Sequence, residues 1–84
     1  MNKDTAIIIL NMPKRHVSVD LEVPLAISAN ELVVALNTAY HLGIDTTDIK
    51  NCYLKAENPI ALLKGNKTLA EFGMRNGSVI NFTD

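Results

Sequence analysis

Two histidines, one cysteine, a Gly65-Asn66-Lys67-Thr68 run and the closely spaced Asp45 and Asp48 are the residues of this 84-residue chain whose types could do chemistry. A structural or catalytic zinc needs three or four nitrogen or sulfur ligands at short spacings. His16 and His41 each stand far from any second His or Cys, so both read as solvated side chains. Cys52 would be a nucleophile only beside a base and an orienting carboxylate, and its neighbours supply no such pattern, which leaves a buried structural thiol as the expectation. The Gly65-Asn66-Lys67-Thr68 run lacks the adjacent Gly-Lys of a phosphate loop, and Ile60 stands where the upstream glycine belongs; it is expected to be a turn. Asp45 and Asp48 fall short of a calcium loop, which needs further oxygen ligands at alternating positions, and are expected to cap a short turn. Lys14-Arg15-His16 reads as a solvated hairpin tip, with contact to an acidic partner as its functional alternative.

Composition narrows the remaining classes. A chain of this length buries only about 60% of the surface its unfolded form exposes, so nearly all its apolar residues are needed for one core, and residues 1–84 are expected to form a single domain without a deep catalytic cavity. Hydrophobic residues make up 48% and aromatic residues 5%, which implies a core of Ile, Leu, Val and Ala. The formal net charge of −1 supplies no field to gather nucleic-acid phosphates or anionic lipid, so neither is an expected partner. A lone cysteine cannot form an internal disulfide. Met1-Asn2-Lys3-Asp4 lacks the start of a signal peptide, and the longest apolar stretch, Ala6 to Leu10, is strand-sized. A cytoplasmic protein is expected, reaching membranes only through a partner, with no cofactor.

The elements that must position these residues follow from periodicity. Thr5 to Met12 is a continuous Ile-rich run, the pattern of an interior strand. After a turn at Asn11 to His16, Val17 to Val23 alternates strictly, with Val17, Val19, Leu21 and Val23 on one face and Ser18, Asp20 and Glu22 on the other. Pro24 ends it. Ser28 and Glu31 have capping-box spacing, predicting a helix from Ala29 to Leu42 with an apolar face of Leu32, Val33, Leu36, Ala39 and Tyr40, and with Gly43 as its left-handed stop. Its length of about 21 Å is enough to cross a small sheet. Asn51 to Glu57 is predicted as a third strand with Cys52, Leu54 and Ala56 inward and Tyr53 and Lys55 outward; Ile60 to Leu63 is a short fourth. Leu69, Phe72 and Met74 then lie on a short turn that leads through Asn76-Gly77 into a last strand.

This order resembles that of ubiquitin-like β-grasp proteins, most specifically through Thr68-Leu69, Phe72-Gly73-Met74 and Asn76-Gly77 ahead of the final strand. The implied fold is α+β, a mixed sheet of four to five strands packed on one helix in ββαββ order. Within that group the stretch from Tyr53-Leu54-Lys55 through Leu69-Ala70-Glu71-Phe72-Gly73-Met74-Arg75-Asn76-Gly77 is similar to the EsaB/YukD family of Gram-positive type VII (Ess/Yuk) secretion systems. The resemblance implies a non-enzymatic accessory or regulatory component that binds proteins of the secretion apparatus, with no catalytic residue to carry over. A sulfur or acyl carrier, the alternative the fold allows, would need a C-terminal Gly-Gly carboxylate, whereas the sequence reads Phe82-Thr83-Asp84. A regulator with weak RNA affinity is disfavoured by the near-neutral charge.

If binding is the function, the surface must be one that the helix leaves uncovered. The first strand has no polar face; with Ile7 and Ile9 toward the helix, Ile8 and Leu10 would lie on the open face beside Val79, Asn81, Tyr53 and Lys55, apolar at the centre and polar at the edge. These six residues are the expected partner-binding set. Scattered exposed isoleucines on an interior strand are the bland alternative, and a helix surface around Val34 and Leu42 is the rival site.

Overall fold

The unbroken apolar run after Asp4 forms strand β1 (Thr5–Met12) in the computed structural model, which describes residues 4–83. Expectations resting on Met1-Asn2-Lys3 and on Asp84 lie outside the described residues. A single turn of 3-10 helix, Pro13–Arg15, returns the chain as β2 (Val17–Pro24), antiparallel to β1 with Met12 opposite Val17 and Ala6 opposite Val23. Next come helix α1 (Ala29–Tyr40), a kinked 3-10 segment at Thr46–Asn51, and strands β3 (Leu54–Glu57), β4 (Ala61–Leu63) and β5 (Val79–Asn81). The sheet order is β2-β1-β5-β3-β4, with β5 parallel to β1 and every other pair antiparallel. The last strand, only three residues long, therefore takes the middle of the sheet.

Helix α1 starts where the capping box requires. The Ser28 side chain accepts from the Glu31 N–H at 3.1 Å, and the Glu31 carboxylate accepts from the Ser28 N–H at 3.0 Å, occupying donors that the first turn leaves free. Its stop differs from expectation. The helix ends at Tyr40 and His41 takes the left-handed cap at φ 53°, with Gly43 at φ 76° two residues on. Asn37 explains the early ending: its side chain donates to the Ile44 carbonyl at 3.0 Å and accepts from the Ile44 N–H at 2.9 Å, so a polar residue outside the apolar face holds the departing chain.

The core lies between α1 and one sheet face. Ile8, Leu10, Ala29, Leu32, Val33, Leu54, Leu63, Leu69 and Ile80 are completely enclosed, with Ala6, Met12, Leu36, Cys52, Ala56 and Met74 nearly so. Tyr40 packs against this core as expected, while Ala39 is exposed. Strand β1 corrects the sequence reading: Ile8 and Leu10 are both at 0% exposure beneath the helix, while Ile7 is 52% exposed on the other side. Pairing with β2 sets this parity. Ile8 stands opposite Leu21 and Leu10 opposite Val19, and the alternating strand can bury only its Val17, Val19, Leu21 and Val23 face.

Substitution with aspartate at adjacent positions separates the two faces. Ile8→Asp places an unpaired charge in the core, costing about 4 kcal/mol or more against a stability near 5 kcal/mol at the low end for a small domain, so that variant is expected to be unfolded by circular dichroism. Ile9→Asp is expected to keep the native spectrum.

Candidate interaction surface

The residues that looked chemically capable are used as connectors. Arg15, at the hairpin tip, reaches the end of α1, where its guanidinium donates to the Tyr40 carbonyl at 2.6 Å and the His41 carbonyl at 2.8 Å. A helix C-terminus leaves its last carbonyls unpaired and carries partial negative charge, so a forked cation there satisfies both needs. The same guanidinium lies 6.0 Å from the Phe82 ring centroid. Of the basic tip, Arg15 is therefore neither a free solvated charge nor an open contact for an acidic partner.

Gly65 to Thr68 is a turn bound to the start of α1. The Asn30 N–H donates to the Gly65 carbonyl and the Ala29 N–H to the Lys67 carbonyl, each at 3.0 Å, while the Gly65 N–H donates to the Asn30 side chain. Within the run, the Gly65 and Thr68 amides donate to side-chain oxygens of Asn30 and Glu71, and the first amides of α1 donate to the run's own carbonyls. Thr68 opens a second capping box that the sequence reading passed over, although Thr68-Leu69-Ala70-Glu71 has the same spacing as Ser28 and Glu31. The Glu71 carboxylate accepts from the Thr68 N–H at 2.9 Å and its hydroxyl at 3.1 Å, and the Glu71 N–H donates to Thr68 Oγ1 at 3.2 Å. The backbone donor, then the hydroxyl, hold the Glu71 carboxyl below its ordinary range.

Asp45 caps its turn as expected. It accepts from the Thr47 hydroxyl at 2.6 Å and the Thr47 N–H at 3.0 Å, in that order the causes of its lowered pKa. Buried Cys52 donates its thiol to the Asp45 carbonyl at 3.2 Å, a structural role. Among the described residues, no group of three or more His, Cys, Asp or Glu side chains is arranged to hold a metal ion, and no helix is long and apolar enough to cross a membrane.

The uncovered sheet face remains. Register places Ile7, Ile9 and Asn11 of β1, Val79 and Asn81 of β5, Lys55 and Glu57 of β3 and Leu62 of β4 on it, with Ser18, Asp20 and Glu22 along the β2 edge. Of the expected set, Lys55, Val79 and Asn81 lie there, joined by Ile7 and Ile9 in place of Ile8 and Leu10, whereas the third strand starts only at Leu54 and leaves Tyr53 exposed in the coil before it, lining an opening with Lys55 and Asn81. The expected polar edge is partly central. Asn11 donates to the Asn81 side chain at 2.9 Å, and Asn81 donates to the Glu57 carboxylate, making a polar bridge across three strands. Beside it Ile7, Tyr53 and Leu62 are about half exposed, and Ile60 is 91% exposed at the rim of an open groove floored by Lys55, Glu57 and Asn81. The rival helix surface keeps Val34 exposed at 43%, but Leu42 is buried at 4% and is withdrawn from it.

One helix laid across a mixed five-stranded sheet, closed by a capped turn and a parallel last strand, defines a ubiquitin-like domain. The ubiquitin-like domain of tubulin-binding cofactor B matches with a TM-score of 0.74 at 17% identity, covering 96% of this chain and 90% of that one. The C-terminal ubiquitin-like domain of mouse tubulin-specific chaperone e matches at 0.74 and 10% identity, over 99% and 89% of the two chains. Tubulin-binding cofactor B of Trypanosoma brucei matches at 0.66 and 16%, over 95% and 94%. At such identities the likeness is one of fold alone. Residues 7–81 match the family of the WXG100 protein secretion system (Wss), protein YukD, and the chain belongs to that family. No curated protein matches the sequence.

Arg15→Ala should lower stability by about 1 kcal/mol in urea denaturation, with amide exchange rising first at Tyr40 to Leu42. For Glu71, a depressed folded-state pKa means a contribution present above the unfolded carboxylate pKa and lost as pH falls through the lowered folded value. Thr68→Val removes the hydroxyl and should move the Glu71 carboxyl part of the way back up in a ¹³C-detected titration.

Proposed function

We infer that this chain is a non-enzymatic interaction module, a cytoplasmic accessory or regulatory component that binds a protein of the WXG100 secretion system through its open sheet face. One observation carries the reading. A domain that encloses most of its aliphatic residues leaves Ile7 and Leu62 about half exposed on one sheet face, where Ile7 and Ile9 are same-face neighbours along β1 and Ile9 stands opposite Val79. Scattered exposed apolar residues are ordinary, but Ile7, Ile9 and Val79 adjoin one another and are framed by Asp20, Glu22, Asn11 and Glu57, which is the composition of a contact surface. Membership of the YukD family supports a protein partner within that system. The chemically capable side chains support a role without catalysis, since Arg15, Cys52, Asp45 and Glu71 are engaged in intramolecular hydrogen bonds. The contact set on this reading is Ile7, Ile9, Tyr53, Lys55, Val79 and Asn81.

The test is retention of the detergent-solubilised secretion apparatus on tagged full-length chain. Ile9→Asp combined with Val79→Asp should reduce capture at least tenfold while preserving the native circular dichroism spectrum. Undiminished capture by the folded double variant would sink the sheet-face site. Val34→Asp on the exposed side of α1 should capture as the unaltered chain does.

A further inference from the structure

The charge on the open face differs from that of the chain as a whole. Lys and Arg number 8 against 9 Asp and Glu in the full sequence, so the molecule is nearly balanced. On the open face Asp20, Glu22 and Glu57 are exposed, and Lys55 is the one cation that register places among them within the described residues. The acidity is therefore local, and it is ordered. Asp20 stands opposite Ile9, Ile9 opposite Val79 and Val79 opposite Glu57, so one row across four strands reads carboxylate, aliphatic, aliphatic, carboxylate. Its two ends lie three strand spacings apart, about 14 Å. Glu22, opposite Ile7, adds a further carboxylate on the β2 side.

We propose that this row receives a cationic amphipathic helix of the partner, with basic side chains two turns apart straddling an aliphatic pair. The proposal rests on the open face being the docking surface and names the chemistry of what docks. A segment lying along the row crosses the strands, where the ladder's hydrogen bonds are already made, so it must pack by side chains, as α1 does on the opposite face. On an α-helix, residues i and i+7 share a face about 10.5 Å apart, and Lys or Arg stems extend that span to the carboxylates at the row's ends. Residues i+3 and i+4 then fall over Ile9 and Val79. The carboxylates also disfavour acidic helices, nucleic acid and anionic lipid, which gives the face a repulsive as well as an attractive component.

The test uses isotopically labelled full-length chain and two synthetic helical peptides of equal length with Leu at i+3 and i+4, one with Lys at i and i+7 and the other with Glu there. The Lys peptide should shift the amide resonances of Ile7, Ile9, Asp20, Glu57 and Val79. Its affinity should weaken about tenfold on raising salt from roughly 0.05 to 0.5 M. Asp20→Asn combined with Glu57→Gln, which keeps an acceptor for Asn81, should weaken it by a similar factor. Equal or tighter binding of the Glu peptide, shifts confined to α1, indifference to the double neutralisation, or no shift at millimolar Lys peptide would each overturn the proposal. In capture of the secretion apparatus at low salt, loss with Ile9→Asp and Val79→Asp but full retention with Asp20→Asn and Glu57→Gln removes the cationic helix and leaves the docking surface standing. Retention by both variants removes the surface as well.

Discussion

Strand β1 can aim only alternate residues at the helix, and that parity governs the molecule. With Ala6, Ile8, Leu10 and Met12 turned to α1, the interior has its inner wall, and Leu32, Val33 and Leu36 have something to pack against. The same choice turns Ile7 and Ile9 outward. A chain of this size has one helix to lay on one face of the sheet, so an apolar run with no polar side must leave aliphatic groups uncovered on the other. Core and surface are thus two consequences of a single register, and a one-residue slip in the β1–β2 pairing would exchange them.

Polar side chains consolidate that arrangement at the ends of its elements. Three points of closure recur: Arg15 on the C-terminus of α1, Asn30 and the Gly65–Lys67 turn at its N-terminus, and Asn76-Gly77 at the start of β1. The Asn76 side chain accepts from the Ile7 N–H at 2.7 Å and the Gly77 N–H donates to the Ile7 carbonyl at 2.9 Å, which brings β5 into parallel register between β1 and β3. Gly77 at φ 89° has the backbone freedom this approach needs. Buried Ser78 secures the far side, donating to the Asn58 carbonyl at 2.6 Å and accepting from the Arg75 N–H at 2.9 Å. A small hydrophobic interior leaves much of the specification of loops to such bonds.

The fold itself is permissive. The ubiquitin-like domains of tubulin-binding cofactor B and of tubulin-specific chaperone e share this fold with little sequence in common, and function resides in the chemistry placed on such a scaffold. On the open face of this chain the aliphatic pair Ile9 and Val79 is framed by Asp20 and Glu57 and flanked by the Asn11–Asn81–Glu57 bridge. The chain belongs to the YukD family of the WXG100 protein secretion system.

Local chemistry decided what could be read without coordinates: the alternation of β2, the capping box at Ser28, the inward Cys52, Leu54 and Ala56, and the turn at Asn76-Gly77 all depend on neighbours a few residues away. The Thr68–Glu71 capping box belongs with them, since its spacing was equally visible. The face taken by Ile8 and Leu10 was hidden because an unbroken apolar strand carries no period of its own; its parity comes from pairing Met12 with Val17, and the partner strand's alternation was the signal that could have supplied it. The roles of Arg15 and Asn37 required tertiary structure for a different reason. Helix carbonyls and a departing loop attract any donor or acceptor that geometry delivers, and only the folded chain brings residue 15 to residues 40 and 41. Likewise, Asp20, Ile9, Val79 and Glu57 form a row only because the last strand is inserted at the centre of the sheet, a long-range pairing that no short segment encodes.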